Sequence, residues 1–338
     1  MGKSYVIDCS SIRGPVEKVQ KQDLANFSKQ LGDTLSGVGF AYLTNHGLDL
    51  KKIDKFYDVS KEFFDLPKES KIKIRKPPGA SSLHGYAAPG DETLNEQAPD
   101  AANELREFID ILGHIDTNDV PYFPPELPSF KDAVDEFRLE SVKLADKVMR
   151  SIALYLGLPE DEIVKRHTHM KDTSVETPTV VRTLMYSPIA KLPDVKISDR
   201  VGEIRCGIHC DWLTITLLYQ DLVGGLDVQT VSGEWIAATP IENSILLICG
   251  DIMEIYSGGR IRATPHRVRI PDDTQLTKKP RQSLLYAPGP DSNQTVEPLL
   301  PIPEIYIGKP RSIYGPQSYD KMNAYEWVHR RFSTAATY

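Results

Sequence analysis

The first half of the chain carries apolar residues at the three- and four-residue spacing of amphipathic helices. One run ends at Gly37 and Gly39 and a second stops before Pro67, and both endings are typical of helix termination. The apolar positions are Leu24, Phe27, Leu31 and Leu35 in the first run, and Ile53, Phe56, Tyr57, Phe63 and Phe64 in the second. We predict these two helices, a short strand at 40–43, a long helix near 129–156 and a short helix from Leu158.

From about residue 178 the pattern changes to short β-rich runs that alternate with turns. The runs lie at 180–186, 213–219, 226–229, 244–248, 267–270 and 283–286. Glycine pairs such as Gly224-Gly225 and Gly258-Gly259 punctuate them. Several short strands at close spacing predict a sandwich or a barrel-like roll. The tail, at 319–332, returns to a helical pattern.

This order of helical segments followed by short β-rich runs predicts mixed α and β structure in a single catalytic unit over 1–338. Its parts are a mainly helical region at 1–177, a β-roll core at 178–290 and a C-terminal segment at 291–338 that ends in a helix. The stretch at 77–103 is rich in Pro, Gly, Ala and Asp, and long irregular stretches of this kind are often lids or binding loops. The C-terminal helix, with Tyr325, Trp327 and Phe332, is a second candidate lid.

Composition narrows the class of protein without defining it. The chain has 338 residues, 40% hydrophobic content and a net charge of −7, with no basic block, which disfavours a nucleic-acid partner. No apolar run approaches the roughly 18 residues of a membrane span, and the N-terminus lacks a signal-peptide pattern. The four cysteines form no CxxC pair. We therefore expect a cytoplasmic monomer that acts on a small molecule, without a nucleic-acid or membrane partner.

Three residues of the predicted roll form a candidate metal site. His209 and Asp211 are two apart, so on a strand they would project from the same face. His266 lies far enough downstream for several intervening strands to return it beside them. Two imidazoles and one carboxylate form a facial triad that leaves metal positions open, an arrangement typical of non-haem Fe(II) oxygenases.

Arg281 and Ser283 follow the third candidate ligand and strengthen this interpretation. They are two apart and so share one face of a strand. Arginine binds carboxylates with a two-pronged fork, and a nearby hydroxyl adds a hydrogen bond. A 2-oxo acid that chelates iron needs such a clamp for its distant carboxylate.

With these residues in place, the chain resembles the isopenicillin N synthase-like branch of the 2-oxoglutarate/Fe(II)-dependent dioxygenases. The resemblance runs over nearly the whole chain. Its motifs are 39–47 (Gly-Phe…Asn-His-Gly), 63–67 (Phe-Phe-Asp-Leu-Pro), Gly85-Tyr86, His209-x-Asp211, Gly224-Gly225-Leu226, Gly250-Asp251, His266-Arg267-Val268 and Arg281-x-Ser283, in the family's order.

The resemblance implies a double-stranded β-helix, or jelly-roll, core with outer helices. It implies Fe(II) as the metal, with 2-oxoglutarate and O2 as cosubstrates, and no catalytic residue beyond the iron ligands. It adds Tyr186 to Arg281 and Ser283 as a residue that binds 2-oxoglutarate. The chain departs from the family at Leu184, where many members have Asn, and at Cys210, where Thr is usual.

The expected activity is hydrogen abstraction from a small molecule, giving hydroxylation, desaturation or ring closure with release of succinate and CO2. Arg182 and Arg205 lie on strands that lead toward the site, and either is suited to an anionic group. We favour Arg182, because its position in the family's motif is commonly near the pocket. For Arg205, a structural or surface salt bridge is at least as good an explanation. Tyr86, Phe108 and Trp212 are candidate pocket residues. The preferred substrate is a carboxylated amino acid or natural-product precursor.

Three alternatives remain open from the sequence. A same-scaffold Fe(II) oxidase would bind substrate directly to iron and use no 2-oxoglutarate. A catalytically inactive binding protein would keep the roll without the chemistry. A zinc hydrolase is disfavoured because the chain has no H-E-x-x-H motif.

Overall fold

The computed structural model describes 5–77, 83–92, 94, 106–113, 121–172, 174–175, 177–188, 202–272, 276–307, 318–319 and 321–335. Much of the predicted loop at 77–103, namely 78–82, 93 and 95–103, lies outside the described residues.

The helical part matches the predicted pattern closely. The α-helices are α1 (Lys21–Gly37), α2 (Leu50–Asp65), α3 (Lys68–Lys71), α4 (Ser129–Tyr155), α5 (Asp251–Tyr256) and α6 (Ala324–Ala335). The helices α1 and α2 both pack against α4. The Phe137 ring of α4 lies 5.0 Å from Phe56 of α2. Each described helix is too short or too polar to cross a lipid bilayer.

The short helix predicted from Leu158 is not an α-helix. Gly157, at φ +75°, ends the preceding helix in a left-handed conformation that favours glycine. Most of the backbone hydrogen bonds that follow span three residues, as from Glu162 N to Pro159 O. The segment is therefore a turn followed by a 3-10 helix, Val164–Arg166.

The strands build a two-layer roll. They are β1 (Val6–Asp8), β2 (Phe40–Thr44), β3 (Gly85–Ala87), β4 (Arg106–Ile111), β5 (Val180–Tyr186), β6 (Ile204–His209), β7 (Ile215–Gln220), β8 (Leu226–Gln229), β9 (Trp235–Ala237), β10 (Ile245–Cys249), β11 (His266–Arg269), β12 (Arg281–Ala287), β13 (Thr295–Val296) and β14 (Met322–Asn323). In the described part of the chain the large sheet has the order β1-β2-β10-β7-β12-β5-β4-β3, and the small sheet has the order β6-β11-β8-β9. The predicted runs are confirmed as strands within one or two residues at their ends.

Alternating side chains give the large sheet two different faces. One face packs against the helices α1, α2 and α4 and forms the larger apolar cluster with them. In this cluster the ring centroids of Tyr219 on β7 and Phe137 on α4 lie 4.9 Å apart. The other face packs against the small sheet in a second cluster that includes Phe108, Leu184, Val228 and Val268. The predicted mixed α and β class, a jelly-roll core with helices outside it, is confirmed.

His167 is a fully buried link between the helical region and the roll. Its Nδ1 donates a hydrogen bond to Ile163 O at 2.9 Å, and its Nε2 accepts one from Thr214 Oγ1 at 2.8 Å. Burial lowers the pKa of His167 from its ordinary value to about 4.

Because His167 is buried with a lowered pKa, we expect the free energy of unfolding to decrease at acidic pH. Between about pH 6.5 and 4 the unfolded chain binds a proton at His167 and the native chain does not, so stability falls as pH falls. We expect His167→Gln to reduce the slope of unfolding free energy against pH in this window by up to about 1.4 kcal/mol per pH unit. Urea unfolding at pH 7, 6 and 5 measures the two slopes. Equal slopes would show that His167 titrates alike in both states.

Candidate metal centre and substrate cavity

The three candidate ligands meet where β6 ends and β11 begins. His209 and His266 are register partners across these antiparallel strands. The Oδ1 atom of Asp211 lies 3.9 Å from His209 Nε2 and 3.6 Å from His266 Nε2. One donor atom from each residue falls within 4.8 Å of the others.

Asp211 reaches the site differently from the prediction. The strand β6 ends at His209, so Asp211 lies beyond it and not on a shared strand face. Asp251 N donates to Asp211 O at 2.8 Å, and Thr216 Oγ1 donates to Asp211 Oδ2 at 2.5 Å. Gly250 allows this approach, because a Cβ there would lie 2.7 Å from Asp211 O. These contacts place the carboxylate beside the imidazoles.

Backbone carbonyls fix the orientation of both imidazoles. His209 Nδ1 donates to Gly207 O at 2.9 Å, and His266 Nδ1 donates to Thr264 O at 3.0 Å. Each Nε2 is therefore left with a lone pair that faces Asp211, which is how metal-binding histidines are commonly oriented. Burial lowers the pKa of His209, and burial with the neighbouring His209 lowers the pKa of His266 to about 4. Both rings are thus neutral at physiological pH.

The donor set fits a divalent transition metal. Two neutral imidazole nitrogens and one carboxylate oxygen suit Fe(II) in a site with open positions, whereas structural zinc is usually enclosed by four protein ligands. Cys210, which lies between two of the candidate ligands, is not among the three grouped donors and is fully buried. His209 and Asp211 line a cavity, so the open side of the triad faces space for other molecules.

Arg281, Ser283 and Tyr186 lie together on the inner face of the large sheet. Arg281 pairs in register with Tyr186, and its guanidinium carbon lies 5.1 Å from the Tyr186 ring centroid. Its Nη1 donates to Ser283 Oγ at 3.4 Å. Arg281 is 2% exposed, and its Nε has no hydrogen-bond partner within the described part of the chain. A buried guanidinium with an unused donor fits a carboxylate ligand.

Leu184 and Arg205 border the same region. Leu184 is the register partner of both Ser283 and Phe108 and packs in the inner apolar cluster. Arg205 is 3% exposed, and its guanidinium carbon lies 4.9 Å from the Tyr186 ring centroid. The salt bridge considered for Arg205 does not form to any of the residues that the structure describes.

A cavity opens beside the triad and encloses about 670 Å³, part of it open to solvent. Its walls are mainly aliphatic and aromatic, with a polar patch on one side. The lining residues are Leu83, Glu92, Leu94, Asp110, Leu112, Pro178, Val180, Arg182, His209, Asp211, Trp212, Leu213, Thr216, Leu285, Ala287, Val328 and Phe332. This lining is typical of a small-molecule site.

The polar patch belongs to a buried charge network that the sequence did not reveal. Arg182 donates from Nε and Nη2 to both Asp110 oxygens, at 2.5 and 2.7 Å, and reaches Glu92 at 3.3 Å. Arg106 Nη2 donates to Glu92 at 2.6 Å, and Lys76 Nζ donates to Asp110 at 2.5 Å. Among the residues that the structure describes, the network joins three cations and two carboxylates, and most of the Arg182 donors are occupied.

The other three predicted pocket residues lie at different places relative to the cavity. Trp212 lines the cavity. Phe108 lies behind it, with the Arg182 guanidinium carbon 4.1 Å from its ring centroid. Tyr86 does not line it: its hydroxyl donates to Glu107 and its ring packs on Phe63. Because β3 turns its side chain toward the helical side of the sheet, Tyr86 lies away from this cavity, and the pocket role expected of it stays a prediction.

The C-terminal helix α6 closes one side of the cavity. Val328 and Phe332 belong to its lining. Trp327 Nε1 donates to Trp212 O at 2.9 Å, and Arg331 Nε lies 3.1 Å from an oxygen of the buried Asp251. The predicted covering role of this helix is therefore consistent with its position, and it packs against the residues that support Asp211.

A jelly-roll core with an open His, Asp, His donor set defines the class of mononuclear non-haem iron oxygenases. Residues 181–286 match the 2OG-Fe(II) oxygenase superfamily. Residues 6–129 match the family described as non-haem dioxygenase in morphine synthesis N-terminal. The chain belongs to the 2OG-Fe(II) oxygenase superfamily.

Individual relatives agree with the family. The chain is 31% identical over 299 residues to the 2-oxoglutarate-dependent dioxygenase frbA of Dothideomycetidae sp. (strain 11243), covering 82% of this chain and 84% of that protein. It is 31% identical over 283 residues to the homoarginine-6-hydroxylase 2-ODD-C23 of Glycine max, with 80% of each chain covered. The crystal structure of a full-length Neurospora crassa protein in complex with alpha-KG and thymine superposes with a TM-score of 0.77 at 25% identity, covering 97% and 96% of the two chains.

The protein is therefore a 2-oxoglutarate/Fe(II)-dependent dioxygenase, an oxidoreductase that uses Fe(II), 2-oxoglutarate and O2. This decides against the oxidase that uses no 2-oxoglutarate and against the inactive binding protein.

Proposed function

We propose that His209, Asp211 and His266 hold the Fe(II) of this dioxygenase. The observation that carries this proposal is the convergence of their three donor atoms within 4.8 Å, with both Nδ1–H groups bonded to backbone carbonyls. The grouping is the one His/Cys/Asp/Glu cluster of metal-binding geometry within the described ranges.

Arg281, Ser283 and Tyr186 are proposed to bind the distal carboxylate of 2-oxoglutarate. Support comes from the burial of Arg281, its unused Nε and its hydrogen bond to the Ser283 hydroxyl. When bound, Fe(II), 2-oxoglutarate and O2 supply oxidative decarboxylation to succinate and CO2 and removal of a hydrogen atom from the substrate. The chain's own residues fix the positions of the reactants and exclude water.

The substrate is proposed to occupy the cavity beside the triad. Its aliphatic and aromatic lining supports a substrate with an apolar body, and Trp212 and Phe332 add flat surfaces. The guanidinium of Arg182 in the cavity lining supports an anionic group on the substrate. A carboxylated amino acid or natural-product precursor meets both requirements, with Arg182 at the polar wall.

We also propose that the whole chain, 1–338, works as one catalytic unit, a monomer in the cytoplasm that acts on small molecules and not on nucleic acid. The net charge of −7 supports the choice of partner. The four cysteines, all buried and unbridged, suit a reducing compartment.

A metabolite-pool screen tests the proposed reaction. The protein is incubated with Fe(II), 2-oxoglutarate, O2 and fractionated small molecules, and both succinate and substrate masses are followed. We expect succinate to form together with a gain of one oxygen, for hydroxylation, or a loss of two hydrogens, for desaturation or ring closure. If fractions that stimulate 2-oxoglutarate consumption contain no compound with either mass change, the proposed small-molecule oxidation is wrong.

Arg281→Gln is expected to weaken 2-oxoglutarate binding by about 30-fold or more, because loss of one partner of a buried charge pair costs about 2–5 kcal/mol. Equilibrium binding of 2-oxoglutarate to the anaerobic Fe(II)-loaded protein measures the effect. The affinity for Fe(II) should change little, since Arg281 is not a proposed ligand. An unchanged affinity for 2-oxoglutarate would remove Arg281 from the proposed pocket.

A further inference from the structure

A second arginine borders the proposed 2-oxoglutarate pocket. Arg205 lies on β6, the strand that ends at His209. Its Nη2 donates to Ser187 O at 2.6 Å, and its Nε has no hydrogen-bond partner within the described part of the chain. The residue is 3% exposed. A guanidinium is therefore held inside the protein with one donor unused.

The Arg205 charge has no carboxylate partner among the described residues. Of the arginines around Tyr186, Arg106 pairs with Glu92 at 2.6 Å, whereas no described carboxylate forms an ion pair with Arg205 or Arg281. Asp221 lies near enough to Arg281 for that charge to act on its pKa, but its oxygens accept hydrogen bonds from backbone N–H groups. Burial and the neighbouring Arg281 lower the pKa of Arg205 to about 10.

Arg205 and Arg281 share one neighbour. Their guanidinium carbons lie 4.9 and 5.1 Å from the Tyr186 ring centroid, so they are at most about 10 Å apart. Burying a cation without a counter-charge is unfavourable, and two such cations in one region favour an anionic ligand between them.

We propose that Arg205 is a second cationic residue for the distal carboxylate of 2-oxoglutarate. The inference rests on the proposed role of Arg281, Ser283 and Tyr186 and adds a residue to that pocket. Arg281 supplies the hydrogen-bonding fork beside Ser283. Arg205 supplies a second positive charge from the small sheet. Together they select 2-oxo acids with a second carboxylate over those without one.

The test compares two ligands that differ in that carboxylate. 2-Oxoglutarate and 2-oxobutanoate share the 2-oxo acid group, and 2-oxobutanoate lacks the distal carboxylate. Each is titrated anaerobically into the Fe(II)-loaded protein, and binding is measured by calorimetry and by visible absorption. Wild type, Arg205→Gln, Arg205→Lys and Arg281→Gln are compared. Arg150→Gln serves as the control, because Arg150 is ion-paired to Asp146 and Glu160 at the outer helix α4.

We expect Arg205→Gln to weaken 2-oxoglutarate binding by about 10- to 30-fold and to change 2-oxobutanoate binding less than about twofold. Arg205→Lys keeps the charge and should lose less affinity, again only for 2-oxoglutarate. If Arg205→Gln does not fold, the comparison of Arg205→Lys with wild type tests the proposal. Arg150→Gln should bind both acids like wild type.

Two results would overturn the inference. Unchanged 2-oxoglutarate affinity in both Arg205 variants would show that the charge does not act on the ligand. If the Arg205 substitutions weaken the binding of both acids equally, Arg205 only supports Tyr186 or the fold. If the wild type itself binds no 2-oxoglutarate, the proposed pocket fails first, which is a distinct outcome.

Discussion

Replacement of His209 by alanine is expected to abolish Fe(II) binding and, with it, turnover. His209 supplies one of three proposed donor atoms, and its orientation is fixed by the hydrogen bond to Gly207 O. Even the loss of an outer partner of a metal ligand typically costs about 10- to 100-fold in affinity or activity, so the loss of a ligand should cost more. Fe(II) affinity and succinate formation from 2-oxoglutarate measure the effect.

His169→Ala is the matched control for this experiment. His169 lies outside the cavity, its side chain is 43% exposed and it faces Asp291. We expect this variant to bind Fe(II) and form succinate like wild type. If His209→Ala also retains both properties, the metal is bound elsewhere and the proposed ligand set is incorrect.

Asp110→Asn is expected to destabilise the protein by about 3–5 kcal/mol, because removing one partner leaves a buried charge uncompensated. The Asp110 carboxylate forms ion pairs with two cations. Its Oδ1 lies 2.5 Å from Arg182 Nε, and its Oδ2 lies 2.5 Å from Lys76 Nζ. Burial alone would raise the pKa of Asp110, but these two cations outweigh burial and lower it. The carboxylate is therefore charged in the native protein. Urea unfolding at pH 7 measures the change in free energy of unfolding.

Asp33→Asn provides the comparison for the charge network. Asp33 forms an ion pair with Lys29 on the surface of α1, where both side chains are more than half exposed. Exposed pairs of this kind contribute about 0–1 kcal/mol, so this variant should unfold almost like wild type. If Asp110→Asn unfolds as the control does, the network contributes little to stability, and its role would lie in substrate binding alone.

The sequence predicted the roll and the proposed triad because both depend on strong local patterns. The strands β7 and β10 are largely apolar runs, and His209 and His266 close and open neighbouring strands of the small sheet. The prediction that Asp211 shares a strand face with His209 was wrong, because β6 ends at His209, two residues before Asp211. Its position depends on contacts from the Thr216 hydroxyl and the Asp251 backbone, which local spacing does not reveal.

The strand β4 and the charge network could not be predicted for a related reason. Arg106, Phe108 and Asp110 alternate on the inner face of β4, so polar side chains occupy positions that normally identify a buried strand face. Their partners, Arg182 and Glu92, come from β5 and from the segment before β4. The register of β4 with β5 brings Asp110 beside Arg182, and Glu92 reaches both arginines from outside these strands.

The central claim, that this chain holds Fe(II) and 2-oxoglutarate at His209, Asp211 and His266, is tested most directly by anaerobic titration of the metal-free protein. Addition of one equivalent of Fe(II) and then 2-oxoglutarate should produce a weak visible charge-transfer band in wild type. The band should saturate at one 2-oxoglutarate per chain and be absent from His209→Ala. A wild-type protein without the band, or a His209→Ala variant with the same band as wild type, would contradict the claim.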